Sequence, residues 1–176
     1  PYLLHVGTLE PRKNIAFLVE VFERLADFDG DLALAGGLGW RTEPILERIA
    51  RSPRAARIRR LGRVADGDLP ALYAGASAFV FPSLYEGFGF PPLEAMACGT
   101  PVIASPRGSL REVLGDGAAL VEDFDADAWA ERLRAVLGDA VRRGALVAAG
   151  RARAARYRWD DTALRTWEVY RKAASA

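Results

Sequence analysis

The sequence predicts an α/β protein, a Rossmann-like doubly wound parallel sheet of six strands with helices on both faces and extra helices at its carboxyl end. Three observations predict it. Short runs rich in valine, isoleucine, leucine or phenylalanine recur six times, segments of helical period fall between them, and after the sixth run the pattern turns purely helical. A chain that alternates in this way builds a parallel sheet covered on both faces.

The six runs place strands at 2–6, 31–35, 57–61, 78–81, 102–104 and 118–121. The first intervening helix is the clearest, because Ile15, Leu18, Val19, Phe22 and Leu25 share one face behind Asn14, a residue suited to an N-cap. Further helices are expected at 43–50, 68–74, 92–97 and 110–114, then at 125–137, through an alanine- and arginine-rich stretch to 157, and from 160 to about 172. No internal repeat and no long linker of glycine, serine or proline divides the chain, so 1–176 reads as one domain. It opens directly in a strand with no initiator methionine, which reads as a domain taken from a longer polypeptide.

Composition narrows the function classes. The 176 residues are 51% hydrophobic and 27% charged, as in an ordinary soluble globular protein, and the net charge of +1 gives no basis for a nucleic acid partner. One cysteine, Cys98, forbids an intrachain disulfide and a cysteine zinc site, and one histidine, His5, forbids a multi-histidine metal site. No run approaches the roughly 20 apolar residues that span a bilayer. The expected setting is cytoplasmic, with any membrane contact peripheral, and the arginines of the carboxyl-terminal helices spread around their helices instead of forming one membrane-facing side.

In a sheet of strand order 3-2-1-4-5-6, strands 1 and 4 are neighbours whose connections leave in opposite directions, and ligands bind at their carboxyl ends. The loops there are the richest in the chain. After strand 1 come Gly7, Thr8, Leu9, Glu10, Pro11, Arg12, Lys13 and Asn14, with two adjacent cations ahead of a helix N-terminus. Free N–H groups, a bidentate guanidinium and a mobile ammonium together suit a diphosphate. After strand 4, Glu86 precedes Gly87, Phe88, Gly89 and Phe90, whose glycines let backbone approach a ligand. Pro91 and Pro92 suit a helix start, Gly99 suits its stop, and Glu94 is expected in the first turn, near the crevice and ready to accept from ligand hydroxyls. His5 is expected in the core or lining the crevice, Cys98 as a small buried apolar residue, and Gly36, Gly37 and Gly39 as a border of the crevice without the spacing of a P-loop.

Glu86 and Glu94 enclose seven residues, EGFGFPPLE, followed by AMACGTPVIAS, and GTLEPRKN, FVFPS, REVLGDGA and LVEDFD stand in order around them. In these motifs, which cover nearly the whole chain, the sequence resembles the family 4 retaining glycosyltransferases of GT-B fold. The resemblance implies that Arg12 and Lys13 bind the donor diphosphate and stabilise the departing nucleoside diphosphate in place of a metal. It implies that Glu86 hydrogen-bonds sugar hydroxyls, that the segment Gly87, Phe88, Gly89 and Phe90 lines sugar and phosphate, that Glu94 holds the ribose, and that Gly7, Thr8 and Leu93 belong to the same donor-binding set. Arg63 and Val64, after strand 3, would border the base. The implied catalytic set is Arg12, Lys13 and Glu86, acting without cofactor or metal by front-face substitution in which Glu86 is not a nucleophile.

The GTLEPRKN and SLYEGFGFPPLEAMACGTPV motifs are especially similar to bacterial polysaccharide mannosyltransferases, which implies GDP-mannose as donor, with UDP-glucose and related donors open. A glycan or lipid-linked acceptor would be presented by an amino-terminal lobe that these 176 residues do not contain. Two other classes are weighed. A nicotinamide dehydrogenase would need G-x-G-x-x-G after strand 1, which is not there, and a noncatalytic sugar-nucleotide module would bind donor without turnover.

Overall fold

Successive residues of a strand point to opposite faces, and here both faces are apolar. The computed structural model describes residues 1–175. Its strands are β1 (Tyr2–Val6), β2 (Asp31–Ala35), β3 (Ile58–Gly62), β4 (Ala78–Phe81), β5 (Val102–Ala104) and β6 (Ala119–Leu120). They form a sheet of order β3-β2-β1-β4-β5-β6 in which every pairing is parallel, the order expected for a doubly wound fold.

The helices are α1 (Ile15–Arg24), α2 (Glu43–Ala50), α3 (Leu69–Ala74), α4 (Phe90–Ala97), α5 (Leu110–Leu114), α6 (Ala126–Gly138), α7 (Ala140–Ala154) and α8 (Trp159–Ala174). One sheet face carries Leu3, Leu32, Leu34, Val80 and Ile103 beneath Leu18 and Phe22 of α1 and Trp129 and Leu133 of α6. The other carries Leu4, Ala33, Ala35, Phe79, Phe81 and Val102 beneath Tyr73 of α3, Met96 of α4 and Leu110 of α5. Every residue of α8 is exposed, and its first residue, Trp159, stacks on Phe90 with ring centroids 6.1 Å apart. No helix among the described residues is long and apolar enough to cross a membrane.

Three local expectations are corrected. Strand β3 starts and ends one residue later than expected, and β6 keeps only two of four residues in ladder pairing. Asn14 precedes α1 but does not cap it with its side chain: Pro11–Lys13 form a 3-10 turn, and the Asn14 N–H closes that turn on the Pro11 carbonyl at 3.0 Å. That closure puts Asn14 in the left-handed region, with φ 55°, which asparagine tolerates better than most residues. Helix α4 begins at Phe90, so Pro91 and Pro92 occupy first-turn positions whose missing N–H groups cost little, and Glu94 moves into the second turn. Its far end closes as expected, with the N–H groups of Gly99 and Thr100 donating to the carbonyls of Met96 and Ala95.

Arg54 ties the first α/β unit shut. Its guanidinium lies 3.9 Å from the Phe22 ring centroid and donates to the carbonyls of Phe22 at 2.8 Å, Leu25 at 2.5 Å and Phe28 at 2.7 Å. Those carbonyls lie at and beyond the end of α1, where helix-bonding partners run out. Replacing Arg54 with methionine keeps the stem and leaves the carbonyls without their shared donor. Equilibrium denaturation should show a loss of about 2 to 4 kcal/mol, and a change below about 0.5 kcal/mol would contradict this role.

Candidate functional site

Strand β1 pairs with β2 on one side and β4 on the other. The chain leaves β1 through α1, on one face of the sheet, and leaves β4 through α4, on the opposite face. The loops after β1 and β4 therefore meet at the carboxyl edge with no crossover between them. Leu84 N–H donates to the Arg12 carbonyl at 2.8 Å, joining the two loops through backbone.

Opposite charges fill the junction. Lys13 Nζ lies 2.7 Å from Glu86 Oε1, and Arg12 Nη1 lies 2.7 Å from Glu86 Oε2, so both carboxylate oxygens carry a cationic partner. Arg12 also bonds Glu10 at 2.7 Å and donates to the Tyr85 carbonyl at 2.9 Å. The side chains of Lys13 and Glu86 are each only 9% exposed, whereas that of Arg12 is 40% exposed. The Lys13 ammonium also stands 4.8 Å over the Phe81 ring. Burial pushes the Glu86 carboxyl up, but the hydrogen bond and charge of Lys13 and the bond from Arg12 outweigh it and hold the group below its ordinary value.

Arg12, Lys13 and Glu86, expected to act together, are thus brought together, and Gly7 lies against the Lys13 stem. Thr8 is exposed beside Gly39, and Gly37 and Gly39 join the β1 loop through backbone bonds with Leu9, so the glycine-rich loop after β2 packs on that loop. Arg63 is exposed and Val64 half-buried after β3. Glu94 is not part of the ion cluster. It is exposed, accepts from Tyr73 Oη at 2.7 Å, and lines a neighbouring groove of about 420 Å³ with Phe88, Phe90, Leu93, Tyr157 and Trp159. Burial and the Glu94 carboxylate raise the Tyr73 hydroxyl far above its ordinary value, so it stays a donor.

Sequence reasoning missed the support behind Glu86. Ser109 N–H and Oγ both bond the Glu86 carbonyl, at 3.0 and 3.1 Å, and a Cβ added at Gly108, φ +61°, would stand 2.3 Å from that carbonyl oxygen. Only glycine allows the β5 loop to lie this close. The Gly-Ser pair in the loop after β5, just ahead of α5, was the available signal. Glu10 was passed over in the same way, two residues from the guanidinium it holds. Cys98 is half-buried at the end of α4.

The family model for glycosyl transferases group 1 matches residues 1–153. O-antigen chain mannosyltransferase B of Escherichia coli is 40% identical over 173 residues, which are 97% of this chain and 45% of that protein. D-inositol 3-phosphate glycosyltransferase of Salinispora tropica is 34% identical over 180 residues, covering 96% of this chain and 37% of that protein. Among solved structures, sucrose-phosphate synthase from Thermosynechococcus elongatus superposes with a TM-score of 0.90 at 32% identity, covering 99% of this chain and 46% of that one. The chain spans less than half the length of each of these relatives.

His5 lies fully buried under the cluster, and burial lowers its pKa to about 4. The unfolded chain, with a histidine value near 6.5, therefore takes up the proton first. Stability should be complete above about pH 6.5 and fall by up to about 3 kcal/mol as pH drops towards 4. Denaturant titrations across that window should show the slope in the wild type and lose it in His5→Phe; an equal slope in both proteins would contradict the assignment.

Proposed function

The chain belongs to the glycosyl transferases group 1 family, and from that premise we propose that it is the donor-binding lobe of a retaining hexosyltransferase of GT-B fold. The observation that carries the reading is the buried junction in which Arg12 and Lys13 from one loop meet Glu86 from the other. A nucleoside diphosphate sugar offers a dianionic diphosphate next to a ring of hydroxyls. The junction offers two cations in contact with an acid.

In this reading the diphosphate takes over the donors of Arg12 and Lys13, and the first-turn N–H groups of α1, which no side chain caps, add to its field. As the glycosidic bond breaks, negative charge grows on the departing phosphate oxygen, and two fixed cations stabilise it where another enzyme would place a metal. Glu86, released from its cations, accepts from sugar hydroxyls. Before donor enters, both of its oxygens are held at 2.7 Å by positive groups. Glu94 holds the ribose, with Tyr73 fixing its carboxylate.

GDP-mannose is the favoured donor, because the relative at 40% identity is named a mannosyltransferase and covers nearly the whole chain. The acceptor, a glycan or lipid-linked glycan, would be presented by a second lobe, in keeping with relatives more than twice this length. A noncatalytic binding module would keep the same crevice, and turnover of labelled donor by the full-length protein separates the two.

Alanine at Arg12 or Lys13 should weaken GDP binding by about 1.5 to 3 kcal/mol each, measured by calorimetric titration, and unchanged affinity would sink the assignment. EDTA should leave wild-type binding intact. Tighter binding of UDP than GDP would keep the lobe and change the sugar class.

A further inference from the structure

Resting on the donor-lobe reading, one buried group has no part in it so far. His5 is fully buried in the middle of β1, its ring stacked on Phe81 at 5.5 Å and on Phe79 at 6.4 Å between centroids. Nδ1 lies 3.0 Å from the Val80 carbonyl oxygen. A carbonyl can only accept, so Nδ1 carries the proton and Nε2 presents a lone pair. That Nε2 has no hydrogen-bond partner among the described residues, a condition that costs free energy in a core and calls for a reason.

Nε2 borders the space beside Lys13. A Cβ added at Gly7 would lie 3.4 Å from His5 Nε2 and 3.2 Å from Lys13 Cε, so the missing side chain leaves one notch that both residues line. The Phe81 ring that stacks on the imidazole also lies under the ammonium. Lys13 has three N–H donors, and one is bonded to Glu86.

The two candidate partners differ in charge. Glu86 neutralises the ammonium that it bonds, whereas a neutral imidazole accepts an N–H and leaves the positive charge available to an anion. We propose that His5 is a positioning residue for Lys13: when a diphosphate occupies the crevice, Nε2 accepts a hydrogen bond from the Lys13 ammonium and holds it from below, charge outward, as Glu86 turns to the sugar. Lys13 thus has two stations, an acidic one in the empty site and a neutral one in the filled site.

Because His5 is the only histidine, histidine-selective 15N labelling of the full chain gives one Nε2 resonance to follow. That resonance should shift upfield, as for an accepting nitrogen, when the wild type is saturated with GDP, and also in nucleotide-free Glu86→Gln, where Lys13 has lost its acidic station. Lys13→Met should abolish both shifts. In calorimetry, His5→Phe, which keeps the aromatic stack, should weaken GDP binding about 3- to 10-fold, and His5→Gln, which restores an acceptor, should recover most of it. An unshifted Nε2 in Glu86→Gln, or wild-type GDP affinity in His5→Phe, would overturn the proposal. If GDP perturbs no resonance of the wild type, the donor reading fails, and the nucleotide-free Glu86→Gln spectrum still decides the role of His5.

Discussion

A buried carboxylate between two cations is the constraint on which the site depends. Glu86 is attached to β4 and its partners to β1, and these strands lie side by side while their helices depart to opposite faces. No helix therefore covers the gap, and charge fills what apolar side chains fill elsewhere. Desolvating such charges is costly and only good geometry offsets it. Two oxygens each held at 2.7 Å meet that condition in the empty protein.

The same geometry makes the site responsive. Arg12, Lys13, Glu10 and Glu86 sum to zero formal charge, so the empty crevice is internally neutral. In the proposed donor site, an entering diphosphate competes with Glu86 for Arg12 and Lys13 and so frees its carboxylate for sugar hydroxyls. Rigidity behind the cluster keeps this exchange local: the Glu86 carbonyl is fixed by Ser109, Arg12 is fixed by Glu10 and Tyr85, and the floor is the stack of Phe79, His5 and Phe81. On the far side of the loop, Phe88 packs against Tyr157 and Phe90 against Trp159, which ties the Gly87 to Phe90 segment to the start of α8.

Much of this was legible in the sequence, for physical reasons. Strand order follows from the alternation of apolar runs and helices, because parallel strands need crossovers and doubly wound sheets place strands 1 and 4 together. Arg12, Lys13 and Glu86 stood out by position before any contact was known. Contacts across 73 residues did not, since nothing in GTLEPRKN says that Lys13 is spent on Glu86 in the empty site. Asn14 was read as a side-chain cap because propensity is local, whereas its left-handed backbone is set by the 3-10 turn before it. Glu94 was misplaced by one turn because two successive prolines read as the helix start when they are its second and third residues. Gly108 and Ser109 drew no reading from the sequence, and only the approach of the β5 loop to Glu86 gives them meaning.

The most direct test of the account is a crystal structure of this chain grown with GDP. The account predicts diphosphate oxygens within hydrogen-bond reach of Arg12 and Lys13, with Glu86 turned from at least one of them. A diphosphate seated elsewhere, with the Lys13 to Glu86 pair intact and untouched, would contradict it.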